Sequence, residues 1–126
     1  ENYEEIVDKI HKLLKPGGYL VFSAEHPVFT AEGSQDWYYD ENGKILHFPV
    51  DNYYYEGKRN GVFLGEPVTK YHRTFTTYIS VLLKKGFRLV DVEEPQPPEE
   101  MLDTVPGMKD EMRRPMMFLV SAQKEK

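Results

Sequence analysis

The chain has 126 residues, about one domain's worth given that single domains run to ~100–200 residues, so these residues are not expected to form a multidomain machine. With 40% hydrophobic and 29% charged residues it has the composition of a folded protein rather than a disordered one. It has no cysteine, which rules out disulfides, thiol nucleophiles and thiolate zinc sites and suits a reducing cytoplasm. Sixteen basic against 21 acidic residues leave a net charge of -5, unfavourable for nucleic acid. The longest apolar run, Met116 to Ala122, is far short of the ~20 residues of a membrane span. A cytoplasmic location with neither nucleic-acid nor membrane partner is therefore expected.

The chain opens on Glu1 rather than methionine, so either an initiator has been removed or the sequence belongs to something longer. Ile6, Val7, Ile10, Leu13 and Leu14 fall on one helical face and predict a helix over residues 3–14. Asn2 is its expected N-cap, and Lys15-Pro16-Gly17-Gly18 its stop. The next run, Tyr19 to Ala24, is short, apolar and rich in β-formers, which predicts a strand over 19–25 buried on both faces. His26 follows directly, at a point where an imidazole could orient a substrate or take its proton; the alternative is a strand-end histidine bonded to a loop carbonyl.

Residues 26–73 differ in character, with Trp37, Tyr38, Tyr39, Phe48, Tyr53, Tyr54, Tyr55, Phe63 and Tyr71 set among turn residues. Asp40-Glu41-Asn42-Gly43 predicts one hairpin and Arg59-Asn60-Gly61 a second, so the region reads as an inserted group of hairpins. Trp37 and the three tyrosines could pack under the insert or stack on a ligand, and packing is the default expectation. Tyr71, His72 and Arg73 bring hydroxyl, imidazole and guanidinium to one rim. Alternation along an extended segment sets Tyr71 and Arg73 on one face and His72 on the other, with either face able to meet a pocket.

Regular structure resumes with Phe75, Tyr78, Ile79, Leu82 and Leu83 on a helical face behind Thr74 as N-cap, and Lys84-Lys85-Gly86 as the stop. Residues 88–93 predict a half-buried strand and 116–122 a buried one, joined by a Pro-rich link with room for a short helix near 109–112. The crossover helix sets strands 19–25 and 88–93 parallel to one another. The link without a full helix sets the last strand antiparallel. Because the last strand is the most apolar, the expected order is 19–25, 116–122, 88–93, with the outer edge of strand 19–25 open to a second copy or to a missing part of a parent protein. His11 reads as solvated, Arg113-Arg114 as a surface cluster paired with nearby acids, and the four histidines show no metal-ligand spacing.

The run Leu13-Leu14-Lys15-Pro16-Gly17-Gly18-Tyr19-Leu20-Val21-Phe22, closed by Glu25-His26-Pro27, resembles the helix, turn and fifth strand of class I S-adenosylmethionine-dependent methyltransferases. Lys70 to Thr74 with Lys85-Gly86-Phe87 resembles that family's last crossover helix and sixth strand, and Pro95-Gln96-Pro97 with Arg113 to Met116 its closing hairpin. The resemblance implies an α/β chain: the C-terminal part of a Rossmann-like methyltransferase fold, a single partial domain with a three-stranded mixed sheet. Residues 1–25 would form helix and strand, 26–73 an acceptor-binding hairpin lid, and 74–126 crossover helix and hairpin.

The family holds S-adenosylmethionine on a Gly-rich loop after its first strand. Gly57, Gly61 and Gly65 lie in the hairpin insert and read as turn glycines, so no residue here is assigned to the cofactor, nor any to a metal. The resemblance implies a part that is inactive alone and that receives a small-molecule methyl acceptor. Its expected site residues are His26 and His72 for catalysis, and Tyr71, Arg73, Tyr54 and Trp37 for substrate. The alternative is a stand-alone aromatic-rich ligand-binding or oligomerisation module.

Overall fold

The computed structural model describes residues 2–125. Helix α1 (Tyr3–Leu13) carries Glu4 and Glu5 in its first turn and His11 and Lys12 in its last, complementing its dipole. Asn2 makes no side-chain cap, contrary to expectation. The turn that follows needs Gly17, whose φ of +84° few other residues adopt. This turn is bonded to the far end of the chain, since Gly17 N–H donates to the Lys124 carbonyl and Lys124 N–H to that of Gly18.

Strand β1 (Tyr19–Glu25) leads through the single-turn helix α2 (Pro27–Thr30) into two hairpins, β2 (Tyr38–Tyr39) with β3 (Ile45–His47), and β4 (Gly57–Phe63) with β5 (Glu66–His72). Helix α3 (Phe75–Lys84), strand β6 (Phe87–Glu93) and strand β7 (Met117–Lys124) complete the plan. Thr74 caps α3 as expected, its hydroxyl accepting the Thr77 N–H. The link after β6 holds two 3-10 helices, Glu99–Met101 and Met108–Arg113, the second where a short helix was expected.

The main sheet has the expected order, β1-β7-β6. β7 is antiparallel to both neighbours, so the sheet is antiparallel throughout rather than mixed as expected, and β1 and β6 point the same way without being bonded to each other. Along β7, Phe118, Val120 and Ala122 face the helices and are buried with Val7, Tyr78, Leu82 and Phe87. Each large side chain of this cluster contributes on the order of 1.5–3 kcal/mol by leaving water. The helices cover one face only. β1 is therefore not buried on both faces: Leu20, Phe22 and Ala24 pack on the core, whereas Tyr19 and Val21 face outward, Val21 being 65% exposed. His11 is not simply solvated either; its ring packs edge-on to Phe87 at 5.2 Å and against Gly86.

The first hairpin turn forms as expected. Asp40 Oδ1 accepts N–H bonds from Asn42 and Lys44, and Gly43 takes a φ of +84°. The second turn lies elsewhere, because Arg59, Asn60 and Gly61 are inside β4 and the chain reverses at Leu64-Gly65. Gly61 serves a close crossing instead of a turn: a Cβ there would stand 2.7 Å from the Gly33 carbonyl oxygen, and one on Gly33 would stand 2.8 Å from that of Asn60. Two stretches of backbone touch at a point with no room for a methyl group. Gly61→Ala is accordingly expected to cost about 1–3 kcal/mol as the contact is forced apart. A urea titration checks this, and an unchanged midpoint would show that the crossing does not hold the insert.

Candidate functional site

The end of β1, the end of β6 and the start of β7 converge, with His26 N–H donating to the Met116 carbonyl at 2.8 Å. His26 is buried, and both its ring nitrogens are engaged. Nδ1 accepts the Val28 N–H at 3.1 Å, capping α2, so the ring proton resides on Nε2 and is donated to Glu94 Oε2 at 2.5 Å. Phe75 stacks on the imidazole at 5.6 Å, and Phe118 meets it edge-on. The partner is a carboxylate rather than the loop carbonyl considered from sequence, and the Glu94 side chain is 54% exposed. The end of β1 is tied to the insert as well: Lys70 Nζ bonds Glu25 Oε2 at 2.8 Å, and Gln35 Nε2 donates to Glu25 Oε1.

His72 has a different setting. It is 1% exposed, its Nδ1 2.7 Å from Thr30 Oγ1 and its Nε2 2.7 Å from the Tyr53 carbonyl. A carbonyl only accepts, so Nε2 carries the proton and Nδ1 accepts the Thr30 hydroxyl. No ring nitrogen is left for a substrate. His72, expected to be catalytic, pins α2 to the segment before β4 through both ring nitrogens. Burial pushes its pKa below the ordinary imidazole value. Nearby, burial alone would raise the Glu56 carboxyl, but hydrogen bonds from Thr77 and Thr74 hold it below the usual carboxylate value.

The other expected residues scatter. Arg73 lies 5.6 Å over the Tyr3 ring and lines a recess beside α1 and α3 with Asp8 and Thr77. Tyr71 is partly buried in β5, in register with Lys58. Tyr54 is 86% exposed and touches Tyr53 edge-on, whereas Tyr53 is the packed member of the triplet, its hydroxyl accepting the Phe75 N–H. Only Trp37 both packs, edge-on to Phe48 at 5.3 Å, and lines a large cavity.

That cavity, about 660 Å³, is the principal candidate site, and its volume is that of a small-molecule pocket. Trp37, Tyr39 and Ile45 at the first hairpin form one side, Pro95, Gln96 and Pro97 after β6 another, and residues 106–116 before β7, among them Asp110, Glu111 and Arg114, a third. A neighbouring recess of about 240 Å³ includes Glu94 and shares Pro95, Gln96, Glu111 and Arg114 with it.

Arg114 corrects the sequence reading most sharply. It is buried, not on a surface cluster, with its guanidinium carbon 4.7 Å from the ring of Trp37, 4.8 Å from Phe48 and 5.1 Å from Phe29. Nη1 donates to Glu111 at 2.5 Å. Arg113 meanwhile bonds Asp110 and the Leu46 carbonyl, which fixes the first hairpin to the link. Nothing in local spacing marks Arg114 as buried; the one usable signal was a cluster of aromatic faces upstream that a flat cation could cover.

Among the described residues no group of three or more His, Cys, Asp or Glu could hold a metal ion, and no helix is long and apolar enough to cross a membrane.

No family model matches the chain. An uncharacterized protein of Haemophilus influenzae is 33% identical over 130 residues, which span 98% of this chain and 49% of that protein. Among solved structures, a putative S-adenosylmethionine dependent methyltransferase from Listeria monocytogenes superposes with a TM-score of 0.92 at 54% identity, covering 99% of this chain and 56% of that one. An S-adenosylmethionine dependent methyltransferase from Mesorhizobium loti gives 0.85 at 36% identity, covering 98% and 56%. The chain thus spans about half the length of the relatives it matches.

The setting of His72 carries a pH signature. Its folded pKa lies below the unfolded value of ~6.5, so the unfolded chain binds the proton first and stability falls as pH drops below about 6.5. The Glu56 contribution is lost separately, at still lower pH, below its ordinary value of 4.5. His72→Gln is expected to lose about 1–3 kcal/mol at pH 7, through partners left unsatisfied, and to show a shallower loss between pH 7 and 5. Urea midpoints for both proteins across that interval check it, and equal slopes would rule it out.

Proposed function

We propose that this chain, which has the fold of part of an S-adenosylmethionine-dependent methyltransferase, is the acceptor-binding portion of such an enzyme acting on a small molecule. The observation carrying this reading is the fit to the Listeria methyltransferase along 99% of the chain at 54% identity. The position of the cavity supports it, since open α/β sheets take ligands beyond the carboxyl ends of their strands. Here the walls come from the segments that follow β1 and β6.

S-adenosylmethionine would supply an electrophilic methyl group, which the acceptor attacks in line. The residues present do not fit its usual cradle. Gly57, Gly61 and Gly65 sit on one antiparallel hairpin, and the two turns that lead from a strand into an α-helix, at His26 and at Arg73-Thr74, contain no glycine. We therefore assign the main cofactor site to a further part of a parent protein and expect this portion to be inactive alone.

The chain's own residues hold and orient the acceptor and exclude water from it. Trp37 and Tyr39 offer ring surface to a planar body. His26 acts as a positioning residue, fixing the half-exposed Glu94 carboxylate at the neighbouring recess, where it is the better placed of the two to receive an acceptor proton. Tyr71, Arg73 and Tyr54 have no part in the cavity in this reading. A cytoplasmic location belongs to it as well.

A second reading, self-association, draws on the unpaired edge of β1 and on the outward Tyr19 and Val21. The remainder of a parent protein would cover the same surface.

Calorimetric titration with S-adenosylmethionine tests the proposal on two proteins, these 126 residues and a longer one extended upstream. Binding by the longer protein alone is expected. Binding by neither would overturn the methyltransferase reading, and binding by the short chain would overturn the placement of the cofactor site.

A further inference from the structure

Arg114 is the least satisfied cation of the candidate site. Its side chain is 6% exposed, yet it makes one hydrogen bond, from Nη1 to Glu111, and its buried Nε–H meets no acceptor. An orphaned charged donor is costly to bury, and native structures rarely keep one without a purpose. The residue lines both the 660 Å³ cavity and the 240 Å³ recess, and so stands beside a ligand held in either.

Charge narrows the ligand further. Beside Arg114, Glu111 pairs with Arg114 and Asp110 with Arg113 at 3.1 Å, and Glu94 adds a further carboxylate in the recess, so the site carries no net positive charge to draw in an anion. A carboxylate would compete with Glu111 for one guanidinium and face Asp110 as well. A neutral oxygen would instead accept from the unused edge of the fork and leave both pairs intact. The walls suit a flat apolar body, with Trp37 and Tyr39 on one side and Pro95 and Pro97 on another.

We propose that the acceptor bound in this cavity is a neutral planar molecule bearing a carbonyl-type oxygen, and that Arg114 is the residue that recognises that oxygen. This rests on the reading of the cavity as the acceptor site. It adds the chemical class of the ligand and the residue that selects it.

The test is calorimetric titration of the intact protein with three flat probes of one shape, 2-naphthamide, 2-naphthoate and 2-naphthylmethylammonium. The amide is expected to bind most tightly of the three. Arg114→Lys keeps the charge and most of the stem but loses the fork and Nε, and is expected to weaken amide binding by about 10-fold or more. Glu111→Gln removes the neutralising carboxylate while leaving the Arg114 side chain unaltered and keeping an oxygen to accept from Nη1, and is expected to shift preference towards the naphthoate by about 10-fold. The Glu111 variant keeps the test open should the lysine variant fail to fold.

Tighter binding of naphthoate or of the ammonium probe by the unaltered protein would overturn the proposal. So would amide binding that Arg114→Lys leaves unchanged, or no binding of any probe. The methyltransferase reading fails by a different result, the absence of S-adenosylmethionine binding by the longer protein, so the two failures are distinguishable.

Discussion

The arrangement depends on one strand being drawn between two others. β7 has apolar residues at alternate positions, Phe118, Val120 and Ala122, all buried, and it pairs along both edges, with β1 on one side and β6 on the other. A strand that inserts this way brings in the residues that precede it. Met116 reaches the His26 backbone and Arg114 the rings of the insert because β7 can lie in only one register without turning its apolar side chains to water. The cavity is thus a product of sheet assembly as much as of the insert that overhangs it.

The insert consists of a single helical turn and two hairpins, held in place by polar ties of which the Thr30–His72 bond is buried. His72 joins α2 to the segment before β4, Glu25 and Lys70 join β1 to β5, and Glu56 bonds Thr74 at the start of α3. Arg59 donates to four backbone carbonyls, those of Ala31, Asn52, Tyr55 and its own neighbour Lys58. Polar ties are directional, so they define a loop's conformation where apolar contacts alone would let it slide. Such a region holds a pocket's shape only while each tie has its partner.

What could be read in the residues follows from the range of the forces involved. Thr74 as a cap, the Asp40 to Gly43 turn and the order of the three strands depend on near neighbours or on total apolarity, and each is present. Asn60-Gly61 has the local chemistry of a turn, but a backbone crossing with Gly33 uses that glycine instead. Alternation set His72 on the face opposite Tyr71 and Arg73, yet it could not say that His72 was the buried one of the three. Arg114 was illegible for the same reason: the three rings around it belong to segments far upstream, and only the folded insert gathers them.

Trp37 is the sole tryptophan of the chain and stands against the guanidiniums of Arg113 and Arg114 in the cavity wall. Red-edge excitation of these residues therefore gives light from a single spot, beside two positive charges whose field shifts an indole's excited state. The emission colour of this chain is a local gauge of whether the arginine stack is in place. It responds to the opening of that one wall even while the helices and the central sheet stay folded.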